Sequence, residues 1–469
     1  MTGLLEKPQQ VADRIRYSEV CASLSYALDI TEGQPAGHAA RTCLIGMRLA
    51  DELSLSRELS LSHEERCALF YGLLLKDLGC SSNASKVCAL FGSDDRTVKC
   101  ALKTTDWTKT SRSVGYLVRN TAIGGSVWEK ATRIVSLARE GQSAARELVQ
   151  TRCERGAQIA RHLFLPDLTA QAIHSLDEHW DGHGHPDGLA GEDIPVLSRI
   201  MGLAQTAEVF WQTGGPDAAI EVALRRRASW FDPEMVDALT RIARDPHLQE
   251  ALASSDVAAR AAALEPEELA LPADLEVLDH VAEAFSEVVD AKSPWTYEHS
   301  RGVAACAHGI GQTLGIQGHR LSRLRQAALL HDIGKLGVSN LILDKPGKLD
   351  PKELALMRRH TQFTYDILTR VKAFQEFALM AASHHERLDG AGYHRGIAGD
   401  DLSLETRILA VSDMYEALAA RRPYRQERSA EEALTIMDRE TGKGLCPMVF
   451  EALKTFLAES HFVPYQVAA

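Results

Sequence analysis

The chain has 469 residues, 45% apolar and 25% charged, with a net charge of −12. This is the balance of a globular protein of two or three domains. The acidic excess argues against a surface that coats nucleic acid, and no apolar run has the length of a transmembrane helix. Met1 to Arg14 lacks the basic-then-apolar pattern of a signal peptide, so a cytoplasmic protein with no membrane partner is expected. The nine cysteines are odd in number and form no CxxC pair, which predicts a reduced set rather than a disulfide framework. Cys80 and Cys153 are candidate reactive thiols, but isolated cysteines usually behave as small hydrophobes.

Strand signals are scarce. Apolar patterns of 3.6 period, broken by Gly and Pro, predict an all-α chain. Early in the chain stands Gly37-His38-Ala39, then Leu73-Leu74-Leu75-Lys76-Asp77-Leu78-Gly79-Cys80, then the glycine-rich stretch from Asp181 to Asp193. All three recur. Glu298-His299-Ser300 matches the first, Ala328-Leu329-Leu330-His331-Asp332-Ile333-Gly334-Lys335 the second, and Asp389 to Asp401 the third, with its glycines in register and Arg407-Ile408 falling where Arg199-Ile200 falls. The chain therefore reads as two tandem copies of one helical domain. Asp77 and Asp181 are 104 residues apart while Asp332 and Asp389 are 57 apart, so the first copy carries an insertion, expected around 90–145. The predicted division is a first domain over 1–245, a helical Ala/Glu/Leu-rich linker over 246–273 and a second domain over 274–469.

The second copy holds the chemistry. His331-Asp332 ends an apolar helix, and His384-His385 follows some fifty residues later. Burying such groups is costly unless something compensates them, and imidazole with carboxylate is the natural ligand set of a divalent metal. His299 precedes a stripe of Val303, Ala307, Ile310 and Leu314. His360 follows the helix start Asp350-Pro351 and shares a face with Met357, Thr364, Ile367 and Val371. Asp413 is expected on a stripe with Leu409, Ala417 and Ala420. Any one of these fits a hydrogen-bonded core residue; seven in one domain point to metal. Two ions roughly 3.5–4 Å apart can bridge and deprotonate a water and stabilise both attacking and leaving oxygens at phosphorus. Lys335, a helical turn beyond Asp332 or in the loop just after it, is placed to neutralise a phosphoryl oxygen. Asp389-Gly390-Ala391-Gly392-Tyr393 is a loop that lets backbone approach a ligand. Arg421, Arg422 and Arg425 surround Pro423-Tyr424, where a guanidinium could hold phosphate or stack on a base.

Over about residues 274–455 these motifs resemble the HD-GYP family, the cyclic-dinucleotide phosphodiesterases of the HD phosphohydrolase superfamily. The resemblance implies an all-helical domain that hydrolyses cyclic di-GMP to pGpG and GMP, with cyclic GMP-AMP preferred by some members. It implies metal ligands at His299, His331, Asp332, His360, His384, His385 and Asp413, a phosphate-binding lysine at Lys335, and substrate contacts from Tyr393, Arg422 and Arg425. Two features depart from it. The motif that names the family ends in Pro, and here Gly392-Tyr393 runs into His394. Members with three metals resemble one another in a Glu four residues before the first His, where this chain has Trp295, so two ions, iron or manganese, are expected. The first copy looks decayed: His38 and Asp77 remain, but Lys76 replaces a His, Cys80 the lysine, Arg152 or Cys153 stands near the third His, Leu176-Asp177 replaces the vicinal pair and Gln205 the final Asp. His179, His183 and His185 fit an exposed loop better than ligands. That copy reads as structural or regulatory. The expected partner is a cyclic dinucleotide, with protein signalling partners and a homodimer left open. The alternatives are a non-catalytic cyclic-dinucleotide or partner-binding signalling protein, and a phosphohydrolase acting on another nucleotide.

Overall fold

The computed structural model describes residues 16–56, 59–105, 110–266, 274–294, 296, 298–420, 428–460 and 462. Among them the chain is helical throughout, with isolated β-bridges and no strand, and no helix is long and apolar enough to cross a membrane.

The first half contains α1 (Tyr17–Thr31), α2 (His38–Leu55), α3 (His63–Leu75), α4 (Ala84–Phe91), α5 (Asp95–Thr104), α6 (Thr110–Asn120), α7 (Val127–His162), α8 (Asp167–His174), α9 (Val196–Arg225) and α10 (Pro233–Ile242). Two short helices follow, α11 (Pro246–Leu252) and α12 (Val257–Ala262). They bury Leu248, Leu252, Val257 and Ala261 and lie on α2, with α12 also against α1. The second half contains α13 (Leu275–Asp290), α14 (His299–Thr313), α15 (Gly318–Leu330), α16 (Asn340–Leu343), α17 (Pro351–Leu368), α18 (Gln375–Ala382), α19 (Leu404–Ala419), α20 (Ala430–Asp438) and α21 (Pro447–Ser460).

Local chemistry sets the boundaries that matter. Capping boxes start α3 (Ser62 with Glu65), α17 (Asp350 with Glu353) and α20 (Ser429 with Glu432), each satisfying backbone N–H groups that the first helical turn leaves free. α15 ends in four fully buried residues, Ala327 to Leu330, and so delivers His331-Asp332 into the interior.

The helices repeat. α1, α2, α3 and α8 of the first half play the parts of α13, α14, α15 and α18, and the C-terminal part of α7 plays that of α17. The two turns after the paired Asp prove the register. A Cβ on Gly79 would sit 1.9 Å from the Arg152 carbonyl oxygen, and one on Gly334 1.9 Å from that of His360. Arg152, not Cys153, therefore stands where the second copy has His360. The repeated glycine loop has one cause in both copies. Gly182, Gly188 and Gly191, like Gly390, Gly396 and Gly399, take positive φ, which only glycine adopts without strain. Glu178 accepts the loop N–H groups of Asp187, Gly188 and Leu189, and Glu386 those of Arg395 and Gly396.

The insertion comprises α5, α6 and the N-terminal part of α7, which build a small core with α4 in Val87, Phe91, Val98, Tyr116 and Leu137. The main core runs through both halves. α1 packs on the turn that follows Asp332 and on α17, while α13 packs on α7 and on the turn that follows Asp77.

Candidate metal centre

All seven expected ligands converge. His299 opens α14, entered through Glu298 at φ 57, and its Nε2 lies 3.2 Å from Asp413 Oδ1 and 3.6 Å from Asp332 Oδ2. His331 Nε2 is 3.3 Å from Asp332 Oδ2. The other Asp332 oxygen, Oδ1, faces His360 Nε2 at 3.6 Å and His384 Nε2 at 3.7 Å. His385 Nδ1 is 3.8 Å from Asp413 Oδ2. One carboxylate thus stands between two histidine groups: His299 and His331 on one side, His360, His384 and His385 on the other.

The ring nitrogens facing away from this centre are held. His331, His360 and His384 each place Nδ1 2.7 Å from the carbonyl three residues earlier, Ala328, Met357 and Ala381. That fixes the tautomer with an Nε2 lone pair turned inward, the usual support of a metal-ligating histidine. His299 Nδ1 instead rests on the Glu416 carboxylate. Burial drives His360 down to about 3 and holds His384 well below and His385 below the usual imidazole range, so these three are neutral. Burial also opposes charge on His299, but Glu416 and Asp413 overcome it and raise its pKa to about 10. Asp332 and Asp413 lie well below the usual carboxylate range: burial opposes their charge, and His331 with Lys335, and His299 with His331, outweigh it.

The donor set fits a divalent metal. His331 Nε2 and Asp332 Oδ1 are buried and have no hydrogen-bond partner among the described residues, and orphaned buried polar atoms need a compensating group. Imidazole nitrogen with carboxylate oxygen suits iron, manganese or zinc.

Lys335 stands at the rim, 20% exposed, its Nζ 2.5 Å from Asp332 Oδ2. The Tyr393 ring lies over His385, centroids 4.8 Å apart. Three residues near the centre were not read from the sequence. Glu416 and Glu386 look like ordinary helix and loop acids until their buried contacts are seen, and Arg358 places its guanidinium 5.0 Å from the Tyr393 ring centre. One expectation needs correction. Ala417 and Ala420 are half-buried, and the buried face of α19 runs through Ile408, Val411, Ser412, Tyr415 and Ala419. Asp413 sits at the edge of that face, because the helix must offer it to the centre rather than to the apolar core. Arg421, Arg422 and Arg425, and Trp295, lie outside the described residues.

The corresponding place in the first copy is filled by the protein's own cations. Lys76 Nζ is ion-paired to Asp77. From α5, Lys103 reaches Glu32 at 3.0 Å and Asp77 at 3.5 Å, and Lys99 reaches Glu32 at 3.6 Å. Arg152 pairs with Asp177. Among these cations, burial and the neighbouring Lys76 push His38 down to about 4 despite its contact with Glu208. His179 is stacked on Trp230, centroids 4.2 Å apart, while His183 is an exposed loop residue.

The HD domain family matches residues 129–235 and 283–446. The chain is 43% identical over 440 residues to the 3'3'-cGAMP-specific phosphodiesterase 3 of Vibrio cholerae serotype O1, covering 94% of each chain. It is 35% identical over 177 residues to a cyclic di-GMP phosphodiesterase of Thermotoga maritima, covering 37% of this chain and 48% of that one. A crystal structure of the cyclic GMP-AMP specific phosphodiesterase V-cGAP3 of V. cholerae superposes with a TM-score of 0.62 at 38% identity, covering 95% of this chain and 98% of that one. The chain belongs to the HD-domain family, in its HD-GYP branch, as a tandem of two copies of which the N-terminal one is degenerate.

Proposed function

We propose that this protein is a metal-dependent cyclic-dinucleotide phosphodiesterase whose active site is the second copy's histidine–aspartate cluster. The observation that carries the reading is Asp332, which turns one oxygen to each of two histidine groups. His299, His331 and Asp413 with one Asp332 oxygen would hold one divalent ion; His360, His384 and His385 with the other oxygen would hold a second. Bound there, iron or manganese supplies an acidified water and neutralises charge on phosphoryl oxygens. The protein's own groups do the rest. The backbone-held imidazoles keep the donor atoms aimed without reorganisation. Lys335 holds an ammonium at the rim, where negative charge grows on the phosphoryl oxygens in the transition state. Tyr393, packed on His385 and under Arg358, offers a flat wall and a nearby cation to a base or phosphate. In the reaction water oxygen bonds to phosphorus, one P–O bond to ribose breaks, and the ring opens to a linear dinucleotide with a terminal phosphate.

For the substrate we favour 3'3'-cGAMP over cyclic di-GMP, the choice the motifs alone suggested. What supports it is extent: likeness to the enzyme named for 3'3'-cGAMP spans both copies, whereas likeness to the T. maritima cyclic di-GMP enzyme covers 37% of the chain. The test is chromatography of products from purified protein loaded anaerobically with iron or manganese, given each dinucleotide in turn. A linear product from 3'3'-cGAMP at the higher rate, abolished by Asp332→Ala, is expected. Faster turnover of cyclic di-GMP would reverse the substrate choice. No product from either, with metal bound, would point to a receptor or to another phosphoester.

A further inference from the structure

The helix that fills the degenerate site also reaches the catalytic copy. α5 belongs to the insertion that the second copy lacks. Asp95, Lys99 and Lys103 recur every four residues along it and so share one face. Near its C-terminal end Lys99 and Lys103 grip Glu32 and Asp77, and Lys99 also donates to the Cys80 carbonyl. About 12 Å away, at its N-terminal end, Asp95 is fully buried. One of its oxygens takes Lys292 Nζ at 3.2 Å and the other the Asn340 N–H at 3.1 Å. The Asn340 side-chain amide donates to the Lys292 carbonyl at 2.8 Å, and Arg96 donates to the Gly337 carbonyl at 2.7 Å.

These partners bracket the proposed centre. Lys292 follows α13 and leads to His299; two residues before it, Asp290 accepts both the N–H and the hydroxyl of Ser300. Gly337 ends the turn that begins at Asp332 and carries Lys335. A buried Lys–Asp pair contributes little net stability compared with apolar packing, and its best-attested use is to specify register. Here the pair sits where one copy meets the loops that aim the other copy's ligands.

We propose that α5 is a strut between the copies and that Asp95 is a positioning residue for the active site, supplied by the copy that has lost its own. With Lys99 and Lys103 anchored on the buried carboxylates of Glu32 and Asp77, the far end of α5 holds Lys292 and the Asn340 backbone, and through them the segments that present His299 and Lys335. The inference rests on the reading of the second copy as the metal centre.

The test uses the full chain with Asp95→Asn, Lys103→Met and the double variant Asp95→Asn/Lys292→Met. It measures Mn2+ affinity by calorimetry after chelator treatment, alongside kcat and KM for the preferred cyclic dinucleotide. Asp95→Asn should lower kcat and Mn2+ affinity about tenfold each, the scale of a lost ligand-orienting contact, with KM little changed. Lys103→Met should move both the same way from the opposite end, and the double variant should recover part of the loss by removing the uncompensated lysine. Cooperatively folded variants with wild-type kcat and Mn2+ affinity would overturn the strut. If wild-type protein turns over no cyclic dinucleotide, weakened Mn2+ binding in Asp95→Asn still upholds the strut while the substrate reading fails, and unchanged Mn2+ binding sinks the strut as well. Should Asp95→Asn not fold, Lys103→Met decides alone.

Discussion

In both copies a histidine at the start of the second helix rests its Nδ1 on a buried glutamate, Glu208 under His38 and Glu416 under His299. The contact is the same and the charge is opposite. His38 faces Lys76 and Lys103 and is held down to about 4; His299 faces Asp413 and Asp332 and is raised to about 10. Burial lowers both; with a glutamate under each ring, the remaining neighbouring charges set the opposite outcomes. For His299 the folded pKa exceeds the unfolded value of about 6.5. Its contribution to the stability of chelator-treated protein is therefore complete below that value and is lost as pH rises toward 10. The denaturant midpoint of such protein should fall between pH 6.5 and 10, and less so in Glu416→Gln. The same substitution removes the anion that orients His299, so metal affinity, read by competition with a chelating dye, should drop about 10–100-fold.

The turn after Asp332 is a tight joint between helices at the centre. Gly334 N–H donates to Thr364 Oγ1 at 3.0 Å, and the Thr364 hydroxyl donates back to the His331 carbonyl at 2.8 Å. Together with the missing Cβ of Gly334, this lets α17 lie directly on the turn, so that His360 meets Asp332. Gly334→Ala would force a methyl into the His360 carbonyl. Overpacking of this kind costs about 1–3 kcal/mol or more, and the strain falls on a ligand-bearing helix. We expect a lowered melting temperature and, at temperatures where the variant is still folded, reduced metal retention by elemental analysis. Gly79→Ala should cost comparable stability through Arg152 but leave metal content unchanged, because that turn holds no metal.

The two halves share one core and have diverged in what neutralises their buried carboxylates. On the proposed function, the second half leaves that task to ions from solution. The first half meets it with Lys76, Lys99, Lys103 and Arg152, two of them delivered by an inserted helix. A fixed ammonium where an ion would sit excludes the ion by repulsion and by occupancy. Asp77→Ala should therefore leave metal per chain at saturating metal unchanged while destabilising the fold by about 3–5 kcal/mol, the cost of stranding a buried charge. Asp332→Ala should abolish metal uptake. Elemental analysis beside thermal melts separates the two.

The helical class, the doubling and the seven candidate ligand positions were legible because each leaves a local mark: 3.6-period patterning, repeated glycines at positions needing positive φ, and costly His and Asp residues in apolar runs. The helix start at Asp350-Pro351 was legible through its capping residues. Glu416, Glu386 and Arg358 were not, since their importance lies in contacts with residues far along the chain. Nor was the choice of Arg152 over Cys153, which turns on a close approach of backbones at Gly79. Least legible of all was α5. Its lysines and Asp95 read as an ordinary amphipathic charge pattern, because their partners, Asp77 on one side and Lys292 on the other, come together only when the two copies pack.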